Sequence, residues 1–328
     1  MNQKEMNNFA AKLLANYLVY APIKKAKEVI IEKINLAGQI DWTGAMPINT
    51  FKRVLLPPRE VMFNVEGQEY KERLTSIRET ILFGVNILDL QAITLLDHVF
   101  EKDVYYQKRR QDIFTVGLTG GIENDFRKYR VFHQAYEENV LEHVMFDVFI
   151  EKQKNGNFIL FSGSEKGRTL LESCNIVEYE NIEFAGLVPE KGVDNKIVQN
   201  RLAVENSEKH NLWKELAQTC LACGKCSIVC PTCFCFDEQD EATLEGVEKA
   251  RRWSSCFYSD FSKTAGGKKD LDALAKKLYF WYTHKFVRVP EELSYYGCVS
   301  CMRCYKVCPV GINVARNLQA LSSKESRK

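Results

Sequence analysis

Two runs of cysteine constrain this chain more than any other feature of its sequence. Each run reads C-x2-C-x2-C-x3-C-P, and the members are Cys220, Cys223, Cys226 and Cys230 before Pro231, and Cys298, Cys301, Cys304 and Cys308 before Pro309. Three closely spaced thiolates can bind three irons of one [4Fe-4S] cubane, while the fourth binds the cluster that is held mainly by the other run. The pattern therefore predicts two [4Fe-4S] clusters.

The crossed ligation gives a definite set of ligands for each cluster. The first cluster is predicted on the first three cysteines of the first run and the last of the second, and the second cluster on the reverse combination. The two predicted sets are Cys220, Cys223, Cys226 and Cys308, and Cys298, Cys301, Cys304 and Cys230.

Zinc and disulfide bonds are the competing interpretations of these cysteines. Structural zinc sites use two C-x2-C pairs, or cysteine pairs with histidine, and none of the five histidines lies inside either run. Disulfides are typical of secreted chains, and the segment 1–20 lacks a basic start followed by an uninterrupted apolar stretch. Both interpretations are weaker than iron–sulfur clusters.

Composition narrows the class of protein further. The chain has 328 residues, 45% of them apolar, a length and apolar content that suffice for two domains with their own cores. Its net charge of +2 gives no indication of nucleic-acid binding. The most apolar stretch, 81–100, is interrupted by polar residues and is not a membrane span. We expect a cytoplasmic protein without a membrane anchor.

Cysteine density predicts an α+β protein in two parts. An N-terminal α/β domain, residues 1–195, would serve as a scaffold and a docking surface for partners, and a helical ferredoxin-like dicluster domain would occupy residues 196–328. The segment Pro189 to Lys196 is the predicted linker. Small ferredoxins have a short hairpin between their two runs, whereas 67 residues separate Cys230 from Cys298 here. This spacing favours a helical type of dicluster domain.

Hydrophobic patterns predict the elements within each part. Leu88 to Phe100 has helical spacing of apolar residues. Helical signals dominate the second part, over Lys196 to Ala217 and Leu271 to Lys285. Six segments rich in β-branched and aromatic residues are predicted strands: Arg53 to Leu56, Glu60 to Val65, Thr80 to Val85, Asp112 to Leu118, Val144 to Glu151 and Asn157 to Ser162.

The sequence contains no pattern for hydride or group-transfer chemistry, and no catalytic residue is predicted. The glycines of GLTGG, from Gly117 to Gly121, do not form the dinucleotide-binding pattern, and GSEKGR, from Gly163 to Arg168, does not form a phosphate loop. We interpret them as a loop and a surface turn. The clusters can move electrons only one at a time, so the reagents at either end must belong to other subunits.

Four cysteines lie outside the two runs. Cys233, Cys235 and Cys256 are either part of a third metal site or redox relay, or buried thiols that tune a neighbouring cluster. A third site has no obvious fourth ligand, and Asp237 is the nearest oxygen donor in sequence. Cys174 is predicted to be a core residue.

Basic residues cluster in sequence around the runs. Positive charge near a cubane favours its reduced state and raises its potential, whereas a solvated charge has little effect. The sequence leaves both interpretations open for each of Lys225, Arg251, Arg252, Lys263, Lys285, Arg303 and Lys306.

The C-terminal half resembles the β subunit of soluble sulfhydrogenases, the cytoplasmic group of nickel–iron hydrogenases. The similarity lies in CPTCFCFD, RRWSSCFYSDFSKTAGG, THK and CVSCMRCYKVCP, and continues more weakly upstream in ILFGVNILDLQAITLLDHVF, DVYYQKRR and DIFTVGL. It covers about Thr80 to Leu318. The chain departs from this family at Asn86, Ile87 and Leu88, where the family usually has arginine, proline and cysteine, and it lacks the family's later CFC-type cysteines.

This resemblance implies a protein that passes electrons between the small subunit of a hydrogenase and a diaphorase subunit that binds FAD and NAD(P)H. The reaction served would be the reduction of NADP⁺ by H₂, with sulfur or polysulfide reduction as a side activity. The iron–sulfur subunit of the anaerobic sulfite reductase shares the CPTC, SC, AGG and HK features and is the alternative, in which electrons pass to a sirohaem subunit. An independent ferredoxin-like carrier or a zinc scaffold is the third hypothesis.

Overall fold

The computed structural model describes residues 1–67, 69–72, 78–119, 140–186, 195–244, 246–295 and 297–322. An N-terminal α/β region precedes the region with both cysteine runs, as the sequence predicts. The chain divides into two compact units, neither continuous in sequence. The first contains Met1–Phe51, Thr75–Gly192 and Val299–Cys301, and the second contains Lys52–Leu74, Val193–Cys298 and Met302–Lys328. The predicted boundary at residue 195 stays a prediction.

Helices occur along the whole of the described chain. In chain order they are α1 (Gln3–Asn16), α2 (Lys52–Leu55), α3 (Ile87–Val99), α4 (Val104–Gln111), α5 (Glu165–Ser173), α6 (Asn195–Glu205), α7 (Leu212–Thr219), α8 (Lys225–Val229), α9 (Leu274–Thr283), α10 (Val289–Leu293), α11 (Arg303–Val307) and α12 (Val314–Ser322), with a π-helical turn at His284–Arg288 between α9 and α10.

Strands form two sheets, one in each unit. In chain order they are β1 (Leu18–Lys25), β2 (Glu28–Ile34), β3 (Arg59–Glu66), β4 (Glu69–Glu72), β5 (Thr80–Val85), β6 (Ile113–Thr119), β7 (Val148–Lys152), β8 (Phe158–Ser162), β9 (Glu180–Asn181), β10 (Phe236–Ala242) and β11 (Val247–Trp253). Among the described residues, no helix combines the length and the apolar character that a membrane span needs.

The first unit is built on a seven-stranded sheet with the order β2-β1-β5-β6-β7-β8-β9. Its centre is parallel, because β1 pairs with β5, β5 with β6 and β6 with β7 in the same direction. Every residue of β5 and β6 is buried, as expected of parallel strands covered on both faces. Cys174 is 5% exposed and belongs to the apolar core of this unit.

Two helices of the first unit follow directly from local sequence signals. Helix α1 begins with a capping box of Asn2 and Glu5 and buries Met6, Phe9 and Leu13 at helical spacing. The predicted helix Leu88 to Phe100 corresponds to α3, which begins after Asn86. The Asn86 side chain accepts a hydrogen bond from the Asp89 amide (3.0 Å) and so caps the helix.

The second unit contains an antiparallel sheet with the order β10-β11-β3-β4. Opposite charges face each other across β10 and β11, where Glu238 pairs with Arg251 and Asp240 with Lys249 in the register. Arg251 also donates to the Glu60 carboxylate of β3 at 2.6 Å, and both side chains are buried. This ion pair links β11 to β3, a strand of the same sheet that lies far earlier in the chain.

The helical part of the second unit is held by buried aromatic residues of α7 and α9. Trp213 packs against Tyr282 with ring centroids 5.1 Å apart, and Asn317 of α12 donates to the Tyr282 hydroxyl at 2.6 Å. These contacts pack α7, α9 and α12 together.

Several predicted elements differ from the structure. The predicted strand Arg53 to Leu56 is wrong: Lys52–Leu55 is one turn of helix, closed by the bond from the Leu56 amide to the Lys52 carbonyl (2.7 Å). The predicted strand Val144 to Glu151 begins later, at Val148. Tertiary contacts override strand propensity in such short apolar segments.

The segments assigned as loops also need correction. Gly117 lies inside β6, where an added Cβ would come within 2.3 Å of Phe149, and Gly120 and Gly121 lie outside the described residues. The predicted turn at Gly163 to Arg168 contains the start of α5, because Ser164 caps that helix by accepting from the Gly167 amide (2.9 Å). Most of the predicted linker also lies outside the described residues.

Candidate functional site

The two cysteine runs adopt the same backbone conformation. Ala222 and Gly224 have φ of 50° and 70°, and Ser300 and Met302, at the equivalent positions, have φ of 59° and 57°. Two left-handed residues in each run turn the chain around the space between its first three cysteines. Residues other than glycine rarely adopt the left-handed conformation. Its occurrence at matching positions therefore indicates that the two runs share one loop conformation.

A short helix follows each loop. Helix α8 begins at Lys225 and α11 at Arg303, so the third cysteine of each run lies in the first turn of its helix. The fourth cysteine, Cys230 or Cys308, follows directly after the helix in an extended conformation. The proline after it then prevents the helix from continuing. The two helices pack against each other.

One cavity gathers cysteines from both runs. About 560 Å³ of empty space, part of it open to solvent, is lined by Cys220, Cys223, Cys226, Cys304 and Cys308. We call the group of Cys220, Cys223, Cys226 and Cys308 the outer centre. The cavity thus brings the first three cysteines of the first run together with both Cys304 and Cys308 of the second. The predicted choice of Cys308 as the fourth ligand stays a prediction.

The other lining residues of this cavity are mostly apolar. Phe257, Leu278, Trp281, Ile312 and Val314 form much of the wall. Main-chain amides point at two of the sulfur atoms: Ala222 N lies 3.5 Å from Cys220 Sγ, and Ile312 N lies 3.3 Å from Cys308 Sγ. The site offers sulfur ligands, main-chain amide donors and an apolar wall, and this combination fits an iron–sulfur cluster.

Gly224 allows the first loop to fold closely. A Cβ atom at this position would lie 2.6 Å from the Tyr258 ring and 3.0 Å from Ser255 Oγ. The residue also has positive φ, which any other residue adopts at a cost. The space beside the outer centre is therefore available only to glycine without rearrangement.

The fourth cysteine of the first run lies in a different environment. Cys230 is 8% exposed, and its sulfur lies 3.2 Å from Lys285 Nζ and 3.1 Å from Thr232 Oγ1. We call the predicted ligand set of Cys230, Cys298, Cys301 and Cys304 the inner centre. Of these, Cys301 is also buried, with 6% exposure.

Lys285 is buried and fully used as a donor. Its ammonium group lies within hydrogen-bond distance of Cys230 Sγ (3.2 Å), Thr232 Oγ1 (3.0 Å) and the Gly297 carbonyl (3.1 Å). These three acceptors match the three N–H donors of a charged lysine. Burial opposes the charge, but the thiols of Cys230, Cys233 and Cys298 together hold the pKa of Lys285 well above its ordinary value.

A second buried lysine, Lys52, lies beside the same segment and was not predicted from the sequence. Its Nζ atom is within 3.5 Å of the carbonyl oxygens of Ser227, Ile228, Cys230 and Cys233, with the shortest contacts at 3.0 Å. It also lies 4.2 Å from the Trp253 ring centroid. Burial lowers the pKa of Lys52. This lysine caps the carbonyl end of α8 and so fixes the chain around Cys230.

The additional cysteines lie in this same buried region. Cys233 hydrogen bonds with Cys230, which lowers the pKa of the Cys230 thiol and raises that of Cys233. Burial raises the pKa of the Cys235 thiol and brings that of Cys256 to about 12. Asp237 is exposed on β10. Whether the three additional cysteines form a third site or tune a cluster stays a prediction.

Within the described ranges, no group of three or more cysteine, histidine or acidic side chains lies close enough to hold a single metal ion. The cysteines of a cubane each bind a different iron atom, so a cluster does not require ligands that meet at one metal ion.

The basic residues around the runs divide into two groups. Lys225, Arg252, Lys263 and Lys306 are exposed, whereas Arg251, Lys285 and Arg303 are buried. Of the buried group, Arg251 pairs with Glu60 and Lys285 contacts a cysteine sulfur. A local sequence pattern does not distinguish the two groups, because burial depends on the tertiary fold.

Comparison with known proteins agrees with this geometry. Residues 219–312 match the model of a 4Fe-4S dicluster domain, so the C-terminal region is an iron–sulfur domain. The chain is also 27% identical to the sulfhydrogenase 2 subunit beta of Pyrococcus furiosus over 312 residues, which is 90% of this chain and 89% of the relative. The resemblance inferred from the sequence is confirmed and extends further toward the N-terminus. No solved structure matches the chain significantly.

Proposed function

We propose that this chain is an iron–sulfur subunit that relays single electrons between a diaphorase subunit, which binds flavin and NAD(P)H, and the small subunit of a hydrogenase. It would hold two [4Fe-4S] clusters, one on Cys220, Cys223, Cys226 and Cys308 of the outer centre, and one on Cys298, Cys301, Cys304 and Cys230 of the inner centre.

The single observation that carries this proposal is the cavity of the outer centre. It collects Cys304 and Cys308 of the second run with the first three cysteines of the first, although the two runs lie far apart in sequence. Such crossing between two runs is the arrangement expected of a two-cluster protein. A chain that bound zinc within each run separately would have no reason to bring Cys308 into this cavity.

When bound, the clusters would supply one-electron storage at potentials between roughly −700 and +450 mV. The protein contributes the thiolates and their surroundings. Phe257, Leu278 and Trp281 exclude water from one side of the outer centre, and the amides of Ala222 and Ile312 donate to its sulfur atoms. Lys285 donates to a sulfur of the inner centre.

The outer centre also has an exposed side through which electrons could pass. Cys223 is exposed, and beside it Leu221 and Val310, both lining the cavity, are 64% and 40% exposed. Lys225 is exposed as well. An apolar rim with a basic neighbour suits a redox partner whose own surface is apolar and acidic.

The name of the relative favours hydrogenase over sulfite reductase. The curated relative belongs to a sulfhydrogenase, and by this similarity we place the chain in a hydrogenase complex with other subunits. We further propose a cytoplasmic location, a dicluster domain over residues 196–328, and a scaffold and docking role for residues 1–195. An independent carrier would not need so large an additional sheet.

The test is anaerobic purification of the tagged full-length chain from cells that express the neighbouring genes. Iron and acid-labile sulfide would be measured on the chain, and nickel, flavin and sirohaem on the proteins that purify with it. We expect about eight irons per chain, EPR signals of two interacting reduced clusters, and partners that contain nickel and flavin.

Other results would contradict the proposal at different levels. Zinc without sulfide would refute the iron–sulfur assignment. Two clusters with a sirohaem partner would keep the electron relay and assign it to a sulfite reductase complex. A monomer that exchanges electrons without any partner would identify an independent carrier. More than eight irons would indicate that Cys233, Cys235 and Cys256 hold a third site.

A further inference from the structure

The two centres differ in the charge that touches their sulfur ligands. At the inner centre a buried ammonium group, that of Lys285, lies 3.2 Å from Cys230 Sγ. At the outer centre Cys220 and Cys308 accept from neutral main-chain amides at 3.5 and 3.3 Å. Among the described residues that line that cavity, the one with a charged side chain is Lys225, which is exposed, so water and ions screen its charge.

Lys285 is held in one position by three acceptors. Besides Cys230 Sγ, its ammonium donates to Thr232 Oγ1 and to the Gly297 carbonyl, and Thr232 Oγ1 in turn lies 2.7 Å from that carbonyl. The side chain is 3% exposed and lies 5.4 Å from the Trp281 ring centroid. A charge that is fixed and shielded from water acts on its neighbours far more strongly than a solvated one.

We propose that Lys285 makes the inner cluster the easier of the two to reduce, so that the first electron to enter the chain rests there. A reduced cubane carries one more negative charge than an oxidised one, and a nearby fixed cation and N–H donor stabilise that reduced state. Lys285 is thus a positioning and tuning residue that acts through Cys230. This inference rests on the proposed function, since it needs both clusters.

The redox potential of each cluster is the quantity that tests this role. The clusters would be titrated electrochemically in the full-length chain and followed by EPR, with Cys223→Ala used to remove the outer cluster and assign the remaining signal. In the unaltered chain we expect the inner cluster to be reduced at the higher potential. If the unaltered chain does not bind two clusters, the proposed function itself is wrong. The number of clusters is therefore measured before any Lys285 variant is tested.

Three replacements of Lys285 separate charge from structure. Lys285→Gln keeps hydrogen-bond donors without the charge, Lys285→Met removes both, and Lys285→Arg keeps the charge. We expect Lys285→Gln and Lys285→Met to reduce the equilibrium constant for reduction of the inner cluster at least tenfold, which is about 59 mV for one electron. Lys285→Arg should recover most of this change, and the outer cluster should not change in any variant.

Lys277 on α9 provides the matched control. Its ammonium donates to the carbonyls of Phe257 and Tyr258 at 3.1 and 2.8 Å, and no sulfur of the described residues is among its hydrogen-bond partners. Lys277→Gln should therefore leave the inner cluster's potential unchanged. The proposal is wrong if Lys285→Gln shifts both clusters equally or neither, if Lys277→Gln has the same effect, or if all three Lys285 variants lose the inner cluster, because Lys285 would then be only structural.

Discussion

The outer and inner centres share a sequence pattern and a loop conformation, yet their surroundings are different. The outer centre opens to solvent at Cys223 and is walled by apolar side chains. Cys230 of the inner centre is buried beside two lysines, of which Lys285 contacts its sulfur and Lys52 contacts its carbonyl. The two proposed clusters would therefore have equivalent ligands in different surroundings, which allows their potentials to differ.

The largest expected effect comes from breaking the crossed ligation. Cys308→Ala should remove the same EPR signal as Cys223→Ala and leave about half of the iron, while Cys230→Ala should remove the same signal as Cys301→Ala. Iron analysis and EPR of the four variants would measure this.

Cys174→Ala is the control for these variants, because Cys174 lies in the core of the first unit and should not affect iron content. If Cys308→Ala instead removes the signal that Cys301→Ala removes, each run binds its own cluster and the crossed assignment is wrong.

Removal of the second lysine should weaken the inner centre selectively. Lys52→Met leaves four carbonyl oxygens around Cys230 without their ammonium donor, and we expect a loss of about 2 kcal/mol in the free energy of unfolding. Anaerobic denaturation with guanidinium would measure the stability, and iron analysis should show partial loss of the inner cluster.

A lysine in the first unit serves as the control that distinguishes a loss of stability from a loss of the cluster. Lys12 donates to the Cys174 carbonyl at 2.5 Å, and Lys12→Met should lower stability without loss of iron. Equal iron loss in Lys12→Met and Lys52→Met would show that Lys52 has no particular role at the inner centre.

The left-handed loop residues allow a direct comparison of the two runs. Gly224→Ala places a Cβ in a left-handed position against Tyr258 and should cost about 1 to 2 kcal/mol, with loss of the outer cluster first. Met302→Gly at the equivalent position of the second run should change stability by less than about 1 kcal/mol. Thermal unfolding under anaerobic conditions would measure both. A larger cost for Met302→Gly would contradict the equivalence of the two loops.

The smallest change in stability is expected at the exposed rim. Leu221→Asp should alter the free energy of unfolding by less than about 0.5 kcal/mol but slow electron exchange with the purified redox partner. Leu244→Asp is the matched control, because Leu244 is fully exposed near the turn between β10 and β11. Stopped-flow reduction of the two variants would compare them, and equal rates would mean that partners do not approach at Leu221.

Much of this organisation could be predicted from local patterns. The cysteine spacing predicts the cluster type, and the strands at β5, β6 and β8 and the helix α3 follow from short-range hydrophobic periodicity. The predictions failed where contacts between residues distant in sequence determine burial or secondary structure. Lys52 looks like an ordinary surface lysine in its own segment, and it is buried by tertiary contacts that include the carbonyls of Ser227 and Cys233. The charged strands β10 and β11 were not predicted, because their opposite charges meet only when the two strands pair.

The inclusion of Lys52–Leu74 in the second unit affects how the protein can be made. Lys52 contacts Cys230 across 178 positions in sequence, and β3 pairs with β11 across a similar span. During synthesis the ribosome releases this early segment long before either cysteine run appears. Its partners are then absent, and contacts this distant in sequence close slowly. Iron–sulfur cluster delivery would therefore act on a nearly complete polypeptide, and a chain truncated to begin at residue 196 would lack part of its own framework.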